Sequence, residues 1–384
     1  MNMDSDWIPL SLADVGEREA QLVEQVMRSG RLSGGPMVEA FESVFADLHG
    51  RRYAVAVSSG MAGAWMALRA LGIGPGDEVI ASAYSWHHIA HAIVHAGATP
   101  VLADIDYWSG AVAPESVLTR ITPSTRAIIG NNCNGHPAAW KPLRDIADAH
   151  GLALIEDSTE AIGSRYLGEL VGTFGDLSIF DFSQPLALNC GEGGMVLTDD
   201  ARLASELRYL RAHGLSDRNS VSVGSRVPFS ANMSDVTAAI GIAQAERIDE
   251  IHARRKQVEV WYHEQMQTFE GIKPPYLAQD VDEVHWMLYV VHLGKRFTAS
   301  ARAQLIEDLD TEAIEAAAYS RPLHQQFHYQ SYGYKRGQLA NTDRIADRSL
   351  ALPFHGFIEQ DEVRFVVKTL KDAATNVGAG AAIY

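Results

Sequence analysis

Over the first two hundred residues, short apolar runs alternate with stretches of helical periodicity. Tyr53-Ala-Val-Ala-Val57, Glu78-Val-Ile-Ala81, Gly97 to Asp104, Thr125 to Gly130 and Ala153-Leu-Ile-Glu-Asp157 read as short strands buried in a core. Between them, apolar residues recur at helical spacing. Glu17 to Arg28 places Ala20, Val23 and Val26 on one face, and Met37 to Leu48 starts behind Pro36. Met61 to Leu71, Ser85 to His95 and Pro142 to His150 continue the series. Such alternation predicts an α/β domain on a mostly parallel sheet. The stretch Ser178–Met195 begins as another buried strand, turns, and ends in Gly191-Glu-Gly-Gly194 before the apolar run Met195–Thr198.

After Asp200 the pattern changes. Ala201 to His213 is helical, 215–232 is polar and loop-like, and Ser234 to Ile248 is an alanine-rich helix. His252 to Thr268 reads as a long amphipathic helix leading into a C-terminal domain, so residues 1–250 and 251–384 are expected to form a large and a small domain. The small one holds a strand at Trp286–His292, a helix at Ala301–Leu309 and a closing helix, Glu362–Ala373, with Val363, Phe365 and Val366 buried. Val377 to Tyr384 reads as a loose tail.

Composition narrows the function classes. A formal net charge of −16 with no basic block argues against a nucleic-acid partner. No apolar run reaches the roughly 20 residues of a membrane span, and the polar, acidic N-terminus does not read as a signal peptide. The cytoplasm is therefore the expected location. Two cysteines, Cys133 and Cys190, build no disulfide framework, and no spacing points to a metal. One local feature carries chemistry. Ser58-Ser-Gly60 joins a strand to a helix N-terminus, which is an anion cradle.

An ordered series of landmarks spans about residues 8–373. It comprises Leu32-Ser-Gly-Gly-Pro36, Val55-Ala-Val-Ser-Ser-Gly60, Gly97-Ala-Thr-Pro-Val101 with Asp104 and Asp106, and Gly135 with Pro137. Ile155-Glu-Asp157, Gly191-Glu-Gly-Gly194, Leu210-Arg-Ala-His-Gly214, Met233-Ser-Asp235 with Ala238-Ala239, and Leu352-Pro353 complete it. In these landmarks the chain resembles the DegT/StrS family of sugar aminotransferases, which are pyridoxal-phosphate enzymes. The resemblance implies the type I PLP-transferase fold: a large domain whose seven-stranded, mostly parallel sheet is sandwiched by helices, and a smaller C-terminal α+β domain. It also implies a homodimer with the pocket at the interface. Trp86 would face the cofactor ring and Asp157 would hold its nitrogen protonated.

Against that pattern the chain departs at several points. The family's Schiff-base lysine stands six residues before the glutamate of Gly-Glu-Gly-Gly; here that position is Leu186, and Lys141 is the only lysine before residue 256. Leucine forms no imine and moves no proton. Beyond Ser59 and Gly60, the phosphate-binding positions hold Met61, Asp181 and, from the partner subunit, Ser230. A carboxylate at 181 would repel a phosphate. Glu160 replaces a Gln or His beside the ring hydroxyl, Asn232 replaces an Arg, and Asn132-Cys-Asn-Gly135 replaces His-x-x-Gly.

The expectation is a pocket remade for another ligand, with no cofactor, or with pyridoxal or pyridoxamine phosphate held without a covalent link. Asp157, Glu160 and Asp181 beside Trp86 and a Leu186–Met61 apolar patch favour a neutral or cationic, partly apolar small molecule. Crowding is expected to raise a carboxyl pKa and make it a general acid or base, with His88 and His87 as further proton carriers. The candidate catalytic residues are thus Glu160, Asp181, Asp157 and His88. Three readings stay open. The first is a PLP-independent enzyme performing condensation, cyclisation, isomerisation or elimination in a natural-product or modified-sugar pathway. The second is an inactive partner subunit of a paralogous enzyme, and the third a sugar aminotransferase or dehydratase using non-covalent cofactor.

Overall fold

The structure, a computed structural model, describes residues 7–86, 88–211, 227–267, 269 and 271–380. His87, the far end of the helix read to His213, and most of the 215–232 loop lie outside them. Among the described residues, nine strands fall in the first two hundred positions. They are β1 (Tyr53–Val57), β2 (Glu78–Ser82), β3 (Thr99–Ala103), β4 (Thr125–Asn131), β5 (Ala153–Asp157), β6 (Arg165–Tyr166), β7 (Glu169–Leu170), β8 (Leu177–Asp181) and β9 (Gly194–Thr198). Seven of them form one sheet in the order β1-β9-β8-β5-β4-β2-β3. β9 runs antiparallel to both its neighbours. The remaining pairs are parallel.

Strand period sets the layers. Val55 and Val57 of β1, Leu177 and Ile179 of β8, and Val196 of β9 pack against helices Gly60–Ala70, His88–His95 and Ala201–Arg211. Their neighbours Ala54, Ala56, Phe180, Met195 and Leu197 face the other way, against helices Glu17–Ser29, Pro36–His49 and Asp235–Glu246. Burial on both sides explains why these strands read as continuous apolar runs.

Helix Ile248–Met266 leads to the C-terminal α+β region. There β10 (Ile272–Lys273), β12 (Tyr289–Leu293) and β13 (Ser349–Leu352) form an antiparallel sheet, while β11 (Val281–Glu283) pairs with β6. Leu305 and Leu309 of helix Ala299–Thr311 pack with Val363, Val366, Val367 and Leu370 of the last helix.

Three sequence expectations need correction. The last helix runs Gln360–Gly380, so Val377–Gly380 of the stretch read as a tail is helical, while 381–384 lie outside the described residues. Phe365 is 42% exposed, because the buried stripe is 363, 366, 367 and 370 and residue 365 lies off it. In the first helix the buried face is Glu19, Leu22 and Val26, not Ala20, Val23 and Val26. Glu19 can be buried because Gln244 donates to it at 2.7 Å, Arg247 at 2.7 Å and the Gly16 N–H at 2.8 Å.

Candidate active site

Because β9 reverses between β1 and β8, those two strands run the same way, and parallel pairing aligns β5 with β8. The C-terminal ends of β1, β5 and β8 therefore share one edge of the sheet, where ligands of open α/β folds bind. Asp157 ends β5, Asp181 ends β8, and Ser58-Ser59 leads from β1 into helix Gly60–Ala70.

Asp181 is tied into that turn. Its Oδ2 accepts the Gly60 N–H at 2.7 Å; its Oδ1 accepts the Ser183 N–H at 2.8 Å and the Ser183 hydroxyl at 2.5 Å. Ser59 caps the same helix, its hydroxyl accepting the Ala62 N–H at 3.2 Å. The first N–H groups of a helix lack backbone partners and carry its partial positive charge, so a carboxylate is stabilised there. The cradle expected to hold an anion thus holds the chain's own. A Cβ on Gly60 would lie 2.8 Å from the Asp181 Cβ and 2.9 Å from Oδ2, so the approach depends on glycine.

The adjacent carboxylates of β5 have different tasks. Glu156 is fully buried and accepts the N–H groups of Gly172, Phe174 and Gly175 at 2.6, 2.8 and 3.3 Å, with the Ser158 and Ser178 hydroxyls at 2.7 and 3.2 Å. It anchors the turn before β8. Asp157 accepts the Thr159 N–H at 3.2 Å and lies within electrostatic reach of His88 and Asp181. Burial raises its pKa, and His88 offsets part of the rise. His88 is itself buried, and neither ring nitrogen has a hydrogen-bond partner among the described residues. Burial lowers its pKa against the pull of Asp157 and Asp181, so the imidazole is neutral near pH 7. Trp86 is 52% exposed and meets the His88 ring edge-on at a centroid distance of 6.4 Å.

Glu160 completes the group. Its Oε2 accepts the Asn134 N–H at 2.6 Å and the Tyr319 hydroxyl. Burial pushes its pKa up to about 7, with Asp157 a smaller contributor. Crowding of carboxylates was the expected cause of such a shift; desolvation is the larger one here, for Asp157 as for Glu160. Asn134, at φ 52°, also pairs its side chain with the Leu288 backbone, donating to the carbonyl and accepting the N–H, both at 3.0 Å. Asn132 is spent on structure: its Oδ1 accepts the Ala138 N–H and the Trp140 indole N–H, both at 2.9 Å.

The expected Leu186–Met61 patch does not form. Leu186 is buried with Met287, Leu288, Val290 and Ala351, whereas Met61 packs on the far cluster behind its helix. A side chain at the first turn of Gly60–Ala70 joins that helix's own core, and Leu186 reaches the C-terminal sheet instead. Ser230 and Asn232 are exposed in the single chain. Tyr319 and Asn134 are the contacts that sequence reasoning did not single out. The Tyr319–Glu160 bond spans 159 positions, and no local pattern announces it. Among the described residues there is no cluster of three metal-ligating side chains and no helix long and apolar enough to cross a membrane.

The sheet order, the C-terminal α+β region and the acidic residues at the strand ends define a protein of the type I PLP-transferase fold. The chain belongs to the DegT/DnrJ/EryC1/StrS aminotransferase family, whose model matches residues 13–371. It is 35% identical over 378 residues to the spore coat polysaccharide biosynthesis protein SpsC of Bacillus subtilis, covering 95% of this chain and 97% of that one. Among solved structures it is similar to S. venezuelae DesV in complex with a ketimine intermediate, at 32% identity and TM-score 0.85 over 93% of this chain and 94% of that one. It is also similar to DesI in the presence of its TDP-sugar product, at 30% identity and TM-score 0.89 over 99% and 96% of the two chains.

Proposed function

We propose that this chain is a PLP-independent enzyme of modified-sugar or natural-product biosynthesis, using acid–base chemistry for a condensation, cyclisation, isomerisation or elimination. The observation that carries the reading is the Asp181 carboxylate seated on the Gly60 N–H at 2.7 Å. A cofactor phosphate in that cradle would meet a carboxylate already holding its donor, and two anions at contact repel by several kcal/mol when partly desolvated, as an order of magnitude. Leu186, buried among apolar side chains, offers no amine. The residues present do not fit pyridoxal phosphate held in the family's manner. Relatives tied by name to polysaccharide biosynthesis and to a TDP-sugar product support the sugar side of the reading.

Glu160 titrates near neutrality, and His88 is a neutral imidazole with free nitrogens among the described residues, so a proton donor and an acceptor coexist at pH 7. The ligand is a neutral or cationic, partly apolar small molecule, and the working unit a homodimer with Trp86, Ser230 and Asn232 at its interface. The test is a titration of the purified protein with pyridoxal phosphate and pyridoxamine phosphate, followed by absorption and thermal shift. Neither cofactor is expected to produce a bound-cofactor band or raise the melting temperature; saturable binding of either sinks the reading.

A further inference from the structure

The hydrogen bonds to Glu160 are unevenly shared. Oε2 accepts both the Asn134 N–H, at 2.6 Å, and the Tyr319 hydroxyl, while Oε1 takes none among the described residues. A main-chain N–H cannot turn away, so a proton on Oε2 would face a fixed donor. Oε1 is the oxygen left to carry it. Tyr319 is half-buried against a second tyrosine, Tyr84, with ring centroids 5.6 Å apart, and its hydroxyl also lies 3.5 Å from the Cys133 Sγ. Burial holds both Tyr319 and Cys133 protonated well beyond neutrality, so the hydroxyl always has a proton to donate.

We infer that Tyr319 is a positioning residue of the site, which with the Asn134 N–H fixes Oε2 of Glu160 as acceptor and so confines the exchangeable proton to Oε1. This rests on the acid–base reading above, and it assigns the direction from which a substrate must receive or yield the proton. The titratable groups that bear on Glu160 are Asp157, Tyr319, Cys133 and Tyr84. Of these, Asp157 carries a charge change that adds to the Glu160 rise.

The experiment is infrared-detected pH titration of the carboxyl stretch in the full chain, which needs no substrate. Wild type is expected to show a carboxyl titrating near neutrality that is missing in Glu160→Gln. Tyr319→Phe keeps the ring and removes one bond to the charged form, so its midpoint should rise by about one to two pH units. Cys133→Ala leaves the hydroxyl donating to Glu160, and its midpoint should stay at the wild-type value. An unchanged midpoint in Tyr319→Phe, or an equal rise in Cys133→Ala, overturns the assignment. Cofactor binding in the separate titration would remove the functional reading without moving these midpoints.

Discussion

Replacing Asp181 by alanine tests what the carboxylate does in the cradle. Three hydrogen bonds disappear, but they differ in consequence. Ser183 is only partly buried, so water can reach its N–H and its hydroxyl, and its two bonds are replaced at little cost. Gly60 is buried, and its N–H is left without an acceptor at a cost of about 1–3 kcal/mol. Losing a negative charge at the helix N-terminus adds about 0.3–1 kcal/mol. A total of about 1–4 kcal/mol follows. With about 2.1 cal/mol/K of unfolding entropy per residue, a chain of 384 residues should then melt about 2–5 °C lower. The sharper measurement is anion rescue. Sulfate should enter the vacated cradle of Asp181→Ala and, at ten times its dissociation constant, restore roughly 1.4 kcal/mol. General salting effects act on both proteins, so the readout is the extra gain of the variant over wild type at matched ionic strength. A variant melting within about 1 °C of wild type, or gaining no more from sulfate, would refute the claim that Asp181 substitutes for a bound anion.

Glu160 should leave a signature in stability against pH. Its pKa is raised from 4.5 to about 7 on folding, so the folded chain binds the extra proton. Its contribution is fully present below about 4.5, declines as pH rises to about 7, and is constant above that. Glu160→Gln should therefore gain on wild type across this window by roughly 3 kcal/mol, read from urea midpoints at its two ends. Leu186→Lys would set an ammonium among Met287, Leu288, Val290 and Ala351; a loss of about 3 kcal/mol or more is expected in thermal unfolding, and an unchanged melting temperature would show that the cluster opens to water.

Much of the architecture was legible because burial on both faces writes each strand as an unbroken apolar run. Ala153–Asp157 came out with its observed limits, and Thr125–Gly130 within one residue. The signal fails where polar groups go inside in satisfied pairs. Glu19 displaced the apparent face of the first helix because Arg247 and Gln244, more than two hundred positions away, meet it there. At the site, Asp157 and Glu156 are adjacent and chemically alike, and only the donors around Glu156 mark it as structural. The cradle at Ser58–Gly60 was readable as local geometry. That Asp181 would fill it, and that Tyr319 would hold Glu160, depends on pairings across the fold that no spacing encodes.

The pairing of Asn134 with the Leu288 backbone bears on motion. The Arg255 guanidinium holds the same segment from the other side, donating to the Trp286 carbonyl at 3.0 Å and the Met287 carbonyl at 2.5 Å. A Cβ on Gly135 would lie 2.3 Å from the His285 carbonyl oxygen, so the two backbones touch. Residues 285–288 are thus clamped between the large sheet and the C-terminal region. Hinge closure of one on the other would have to break this clamp, and the amides of Met287 and Leu288 should exchange with solvent only on sub-global opening. On the proposed function, Glu160 is already held by Asn134 and Tyr319 before any ligand arrives, and substrate entry would fall to the exposed edge near Trp86 rather than to a closing domain.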